Sequence, residues 1–177
     1  DLFHEEDEKE SMSVGFAKLC QHKNLVHHED YLPSLNLGTI VKSSLGVDNY
    51  FVCIQQRCDS SRVKTREGRR FLFLSLSTVE GNGEFDFITP DKKKLKLDRR
   101  SFHLRTVKFN GSENGTVQSN NEDGQLSFNP VHHSSEPSEK FKFIFELKDL
   151  YAQRIVADYT ANLARVGLDE PEWVRLS

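Results

Sequence analysis

Along most of this chain apolar residues alternate with polar ones in steps of two, and helical spacing is confined to the ends. Tyr50–Ile54 (YFVCI) and Phe71–Leu76 (FLFLSL) are the two most apolar stretches. Both are rich in aromatic and β-branched residues, which suit a pleated, packed surface. Phe71 and Phe73 fall on one face of the second stretch, and Leu72, Leu74 and Leu76 on the other. Turn residues bound both (Gly46, Asp48 and Asn49 before, Glu67 and Gly68 between), so strand is the better reading than short buried helix. A strand apolar on both faces sits centrally in its sheet, and this pair is expected at the middle of the domain. The charged connector from Gln55 to Arg70 is too long for a tight hairpin and reads as a rim loop or an overrunning strand.

Further strands follow from the same alternation. Leu35–Lys42 reads as the first strand of the core, and Phe85, Phe87 and Ile88 as a short one after the turn Glu80–Glu84. Leu95 and Leu97 alternate with lysines, and Phe102–Phe109 alternates again. Phe141, Phe143, Phe145 and Leu147 alternate with Lys140, Lys142 and Glu146, which reads as a strand with one wet face. Between Ser112 and Glu139 the chain is polar and loop-like, with Leu126 and Phe128 as anchors for a brief strand.

Helical spacing appears twice. Met12, Phe16, Leu19 and Cys20 predict a short amphipathic helix ending near Gln21, although Gly15 weakens it. Tyr151, Ile155, Tyr159, Leu163 and Val166 form one stripe of a longer helix, with Gly167 placed to cap it. Asp169–Glu172 then resembles the opening of a last short helix around Trp173. The expected fold is α+β: an antiparallel curled sheet or small β-barrel with an N-terminal and a C-terminal helix packed on it. Residues 1–34 read as an acidic N-terminal helical segment, and 35–177 as one domain with a mobile polar loop at 112–139.

Composition narrows the class. The chain has 177 residues and a net charge of −3, with a mean hydropathy of −0.60, enough for one domain with its own core. No apolar run approaches the roughly 20 residues that span a bilayer. The chain starts at Asp1 without a hydrophobic leader, which reads as a fragment of something longer. Three cysteines, an odd number, point to reduced thiols and a cytosolic setting.

The polar chemistry concentrates between the two central strands. Arg57, Cys58, Asp59 and Arg62 are the candidate ligand- or partner-binding residues. Asp59 between two guanidinium groups would fix the strand end as an ion pair; the same arginines would grip a phosphate or carboxylate. Cys53 and Cys58 have four residues between them, unlike the close pairs of zinc ribbons, and an odd offset sends strand side chains to opposite faces. No metal or other cofactor is expected. The pairs His27–His28 and His132–His133 lie in polar stretches and read as solvated.

Two basic segments supply an alternative. Arg69 and Arg70 close the first, and Lys92, Lys93, Lys94, Arg99 and Arg100 lie in the second; on one shared face they would bind a phosphate backbone. The plain alternative is a solvated face with lysines guarding an edge. No nucleophile elbow, Walker loop or zincin motif is present. Cys58 as a nucleophile would need a base from elsewhere, such as His103.

The strings GTIV (38–41), YFVCIQQRCDSSRV (50–63), RRFLFLSL (69–76) and LYAQRIVADYTANLARVGLDEPEW (150–173) together resemble the region that accompanies a receiver domain in bacterial response-receiver proteins. These occur in two-component-like operons, some linked to phage defence. The resemblance implies a cytoplasmic, non-catalytic recognition or output role beside a protein partner or an attached receiver domain, with phosphorylation on that other domain. GTIV followed by a basic turn and RRFLFLSL is more weakly similar to PemK/MazF-type toxin barrels, which would imply ribonuclease activity. This chain lacks that family's usual Arg-Pro before the third strand.

Overall fold

The computed structural model describes residues 14–23, 31–98, 104–131 and 138–166. A helix over 14–21, α1, precedes nine strands: β1 (Thr39–Ser43), β2 (Tyr50–Cys53), β3 (Arg69–Val79), β4 (Phe87–Ile88), β5 (Lys94–Leu97), β6 (Leu104–Phe109), β7 (Asn120–Glu122), β8 (Gln125–Phe128) and β9 (Phe141–Glu146). The helix α2 (Asp149–Val166) follows. The α+β expectation holds, with one qualification: the antiparallel sheet does not close into a barrel. Its order is β4-β5-β3-β2-β1-β9-β8-β7, and β6 also pairs with β3.

The predicted central pair is the hub of this sheet. Cys53 opposes Phe73 and Tyr50 opposes Leu76. On its other edge, β3 holds β6 along residues 69–74 and β5 along residues 76–79. Its alternation divides the apolar mass into two cores. Leu74 and Leu76 join Ile40, Tyr50, Val52, Leu95 and Leu97 on the face that α2 covers. Phe71 and Phe73 join Phe51, Cys53, Phe109, Phe128 and Phe141 on the opposite face. There Phe73 stacks on Phe141 at 5.5 Å and Phe71 meets Phe109 edge-on at 5.7 Å. Each such buried ring contributes about 2–3 kcal/mol.

Helix α2 packs through Ala152, Ile155 and Tyr159, and Asp149 in its first turn suits the helix dipole. Gly38 allows the helix to come close: at φ +87°, a Cβ there would lie 2.8 Å from the Ala152 Cβ. Leu163, expected on the buried stripe, is 45% exposed. Gly167 and the motif 169–172 lie outside the described residues.

Three expectations need correction. In α1, Phe16, Leu19 and Cys20 face solvent, and the helix is seated instead by Val14 and Gln21. The Gln21 amide donates to the Asp86 carbonyl at 2.8 Å, so a polar side chain does the anchoring and the apolar stripe misleads. In β9 the pairing with β1 shifts between Ile40 and Val41. That bulge sends Phe141 and Phe143 to one core and Phe145 to the other, so the stripe is split and Glu146 is buried. In the polar stretch, the brief strand anchored by Leu126 and Phe128 is present as β8, but it pairs with β7 as a hairpin over 120–128, Val117 is buried, and Leu35 donates its backbone N–H to the Val117 carbonyl.

Candidate functional site

The rim loop after β2 is shaped by its own backbone. Ile54 still pairs with Leu72, and the Gln56 carbonyl then accepts from the Asp59 amide, the Ser60 amide and the Ser60 hydroxyl at 2.9–3.0 Å. The Ser61 hydroxyl donates to the Cys58 carbonyl at 2.9 Å. Arg62 takes the left-handed conformation, φ +61°, and so turns Val63 into the aromatic core. There the Val63 amide donates to the Gly115 carbonyl at 2.8 Å.

The four candidate residues of this loop divide between two neighbourhoods. Arg57 reaches β9 and α2, where Nη2 lies 3.1 Å from Glu146 Oε1 and 2.5 Å from Asp149 Oδ1. Lys23 also bonds Glu146 Oε1, at 2.9 Å. Glu146 is 2% exposed, and a carboxylate so buried requires such partners. Asp59 pairs with neither Arg57 nor Arg62. Its carboxylate lies 3.9 Å from Arg69, whose guanidinium also donates to the Asp59 carbonyl. Cys58, expected to be partly buried, is exposed. Its thiol and the Arg62 guanidinium have no partner among the described residues.

The basic residues of the alternative also divide. Lys92, Lys93 and Lys94 line one open groove of about 450 Å³. Arg69 and Arg70 oppose Phe109 and Lys108 at one end of β3, whereas Lys94 opposes Val79 at the other. Ten strand steps separate those ends, roughly 33 Å if fully extended. Arg99, Arg100 and His103 lie outside the described residues, as do His27, His28, His132 and His133.

Two polar clusters escaped the sequence reading. Glu139, 6% exposed, receives both guanidinium nitrogens of Arg105, at 3.0 and 2.5 Å, and the Ser43 hydroxyl. Arg105 also lies over Phe51 and Phe141 at 5.3 and 5.4 Å, so it ties β6 to the entry of β9 across the aromatic core. At the β1–β2 turn, Asp48 Oδ1 accepts from Lys42 Nζ at 3.0 Å and from Lys93 Nζ at 2.9 Å. These bonds hold the Asp48 carboxyl below its ordinary range and both ammonium groups above theirs. Asp48 looks in the sequence like a turn marker, and although Lys42 is only six residues away, Lys93 is distant along the chain.

The groups best known for reactivity serve packing. Burial pushes the Cys53 thiol up to about 12, which leaves it protonated at neutral pH. His22 stacks on Phe145 at 4.0 Å and bonds the Ile88 carbonyl at 2.6 Å. Burial lowers its pKa, the carbonyl bond opposes this, and Lys18 adds a small lowering. No three His, Cys, Asp or Glu side chains among the described residues come together as a metal-holding group. No helix among them is long and apolar enough to cross a membrane. Against known proteins, no family model, no curated protein and no solved structure matches this chain.

Proposed function

We propose that the chain is a non-catalytic recognition module of a cytoplasmic bacterial signalling or defence protein, and that its partner docks on the rim loop 57–62. The carrying observation is the division of labour within that loop. Arg57 is committed to Glu146 and Asp149, which fixes the loop, while the Cys58 thiol and the Arg62 guanidinium face solvent on it. Recognition groups presented from loops on a rigid scaffold are the common arrangement for binding. The sequence resemblance supplies the candidate partner, a receiver domain with an acidic pocket, and Arg62 supplies the complementary charge.

Calorimetric titration of the chain with a purified receiver domain, with and without phosphorylation, tests this. Saturable binding weakened about tenfold by Arg62→Glu, the scale of one charge-assisted contact, is the expected result. Binding indifferent to Arg62→Glu and to a bulky maleimide on Cys58 would remove the rim from the interface.

A second reading, nucleic-acid binding, is favoured by the three consecutive lysines of the groove. The distance of Arg69 and Arg70 from them counts against a continuous phosphate track. Affinity for single-stranded RNA that falls steeply with salt would support this second reading.

A further inference from the structure

The groove beside Asp48 is built more firmly than a solvated lysine face requires. Thr89 is fully buried and closes the turn that carries the lysines. Its amide donates to the Lys93 carbonyl at 2.9 Å, its carbonyl accepts from the Lys92 amide at 3.0 Å, and its hydroxyl accepts from the Lys93 amide at 2.8 Å. Lys92 is held there at φ +67°, exposed, with no side-chain partner among the described residues. Lys94 is tied across the groove to the Gly81 carbonyl at 2.9 Å. The Tyr50 ring lies beneath Lys42 and Lys93, at 5.1 and 6.0 Å. The turn backbone and the Lys93 and Lys94 side chains are therefore held in place before anything binds.

Asp48 stands in this setting as an anion already seated between two ammonium groups. A single oxygen, Oδ1, takes both lysines. The residue reaches them from a left-handed backbone conformation, φ +58°, which is unusual for a residue with a side chain. Its neighbour Val47 is 89% exposed, so the turn that delivers Asp48 is not packed down on the domain. A carboxylate on an unpacked turn, bridging Lys42 of β1 and Lys93 of the Thr89 turn, is the arrangement of a replaceable counter-ion.

We propose that this groove, lined by Asp48, Glu80, Lys92, Lys93 and Lys94, binds a small phosphoanion of the di- or polyphosphate class, and that the incoming phosphate displaces Asp48 from Lys93 and leaves it paired with Lys42, which lies outside the groove lining. Lys92, without a partner of its own, would take a further phosphate oxygen. The groove volume of about 450 Å³ admits a ligand the size of a nucleoside diphosphate.

Calorimetric titration of the full chain with inorganic pyrophosphate at low ionic strength is the test. Saturable one-to-one binding is expected. Lys93→Met weakens it by roughly tenfold, the scale of a charge-assisted bond. Asp48→Asn keeps the left-handed conformation, which asparagine tolerates, and removes the internal competitor. It tightens binding by roughly two- to fivefold, the size of one surface ion pair. Circular dichroism confirms that each variant is folded. Absence of saturable binding overturns the proposal, and so does an Asp48→Asn variant that binds no tighter than the parent. Oligonucleotide binding that strengthens with length and that pyrophosphate does not displace overturns it in favour of an extended nucleic-acid surface.

Discussion

Arg57 and Glu146 lie 89 residues apart in sequence, yet Nη2 of one and Oε1 of the other are 3.1 Å apart. The contact joins the rim loop to the last strand at the point where the chain enters α2. Lys23 shares the same carboxylate oxygen, so three distant parts of the chain meet on one buried side chain.

Glu146→Ala is expected to cost about 2 kcal/mol of stability in urea unfolding, since it strands two cations that can still reach water. Arg57→Ala costs less, because Lys23 continues to pair the carboxylate. Glu146→Ala within about 0.5 kcal/mol of the parent would be the range of an ordinary surface change and would show that the loop is held by other means.

Arg105 and Glu139 allow a sharper experiment. Arg105→Leu leaves a buried carboxylate with the Ser43 hydroxyl as its remaining partner among the described residues, at an expected cost of about 3 kcal/mol. Arg105→Leu with Glu139→Leu recovers most of that loss, because two apolar side chains over Phe51 and Phe141 replace the pair. A double-mutant cycle with coupling near zero would exclude a closing role for the pair.

The three thiols differ in burial, and a thiol reagent can rank them. Cys20 and Cys58 are exposed and are expected to label in the native protein. Cys53, whose pKa is pushed up to about 12 by burial, labels only as the chain unfolds. Rapid labelling of all three in the native protein would contradict the placement of Cys53 in the aromatic core.

His22 gives the fold a pH dependence. Its folded pKa lies below the ordinary 6.5, so the unfolded chain binds the proton more readily. The stabilisation from neutral His22 is complete above pH 6.5 and is lost as the pH falls from there through the lowered folded value. His22→Gln is expected to flatten that part of the profile of melting temperature against pH. An unchanged profile would mean that His22 titrates freely.

The central strands were legible because Tyr50–Ile54 and Phe71–Leu76 are short, near-continuous apolar runs bounded by turn residues, the pattern of a strand buried on both faces. The hairpin β7–β8 also carried a signal. Asp123 and Gly124 both take positive φ, 51° and 80°, as a tight Asp-Gly hairpin turn demands; Leu126 and Phe128 gave away β8, but the wholly polar, exposed β7 masked its partner. The register shift in β9 left no trace, because a bulge is decided by what the partner strand can pair. Rim positions 57–62 stood out for their charge. Their partners did not, since Glu146, Asp149 and Arg69 are brought there by the fold and not by spacing.

A ribbon that feeds two interiors at once, as β3 does, leaves no safe place along its length to open the chain. An insertion between Arg69 and Leu76 would move the phenylalanines and leucines onto each other's side and spoil both halves together. Grafts, tags and new termini belong at the far tip of the β7–β8 hairpin, where Gly124 has open space around it. There the molecule can be rewritten without disturbing either interior.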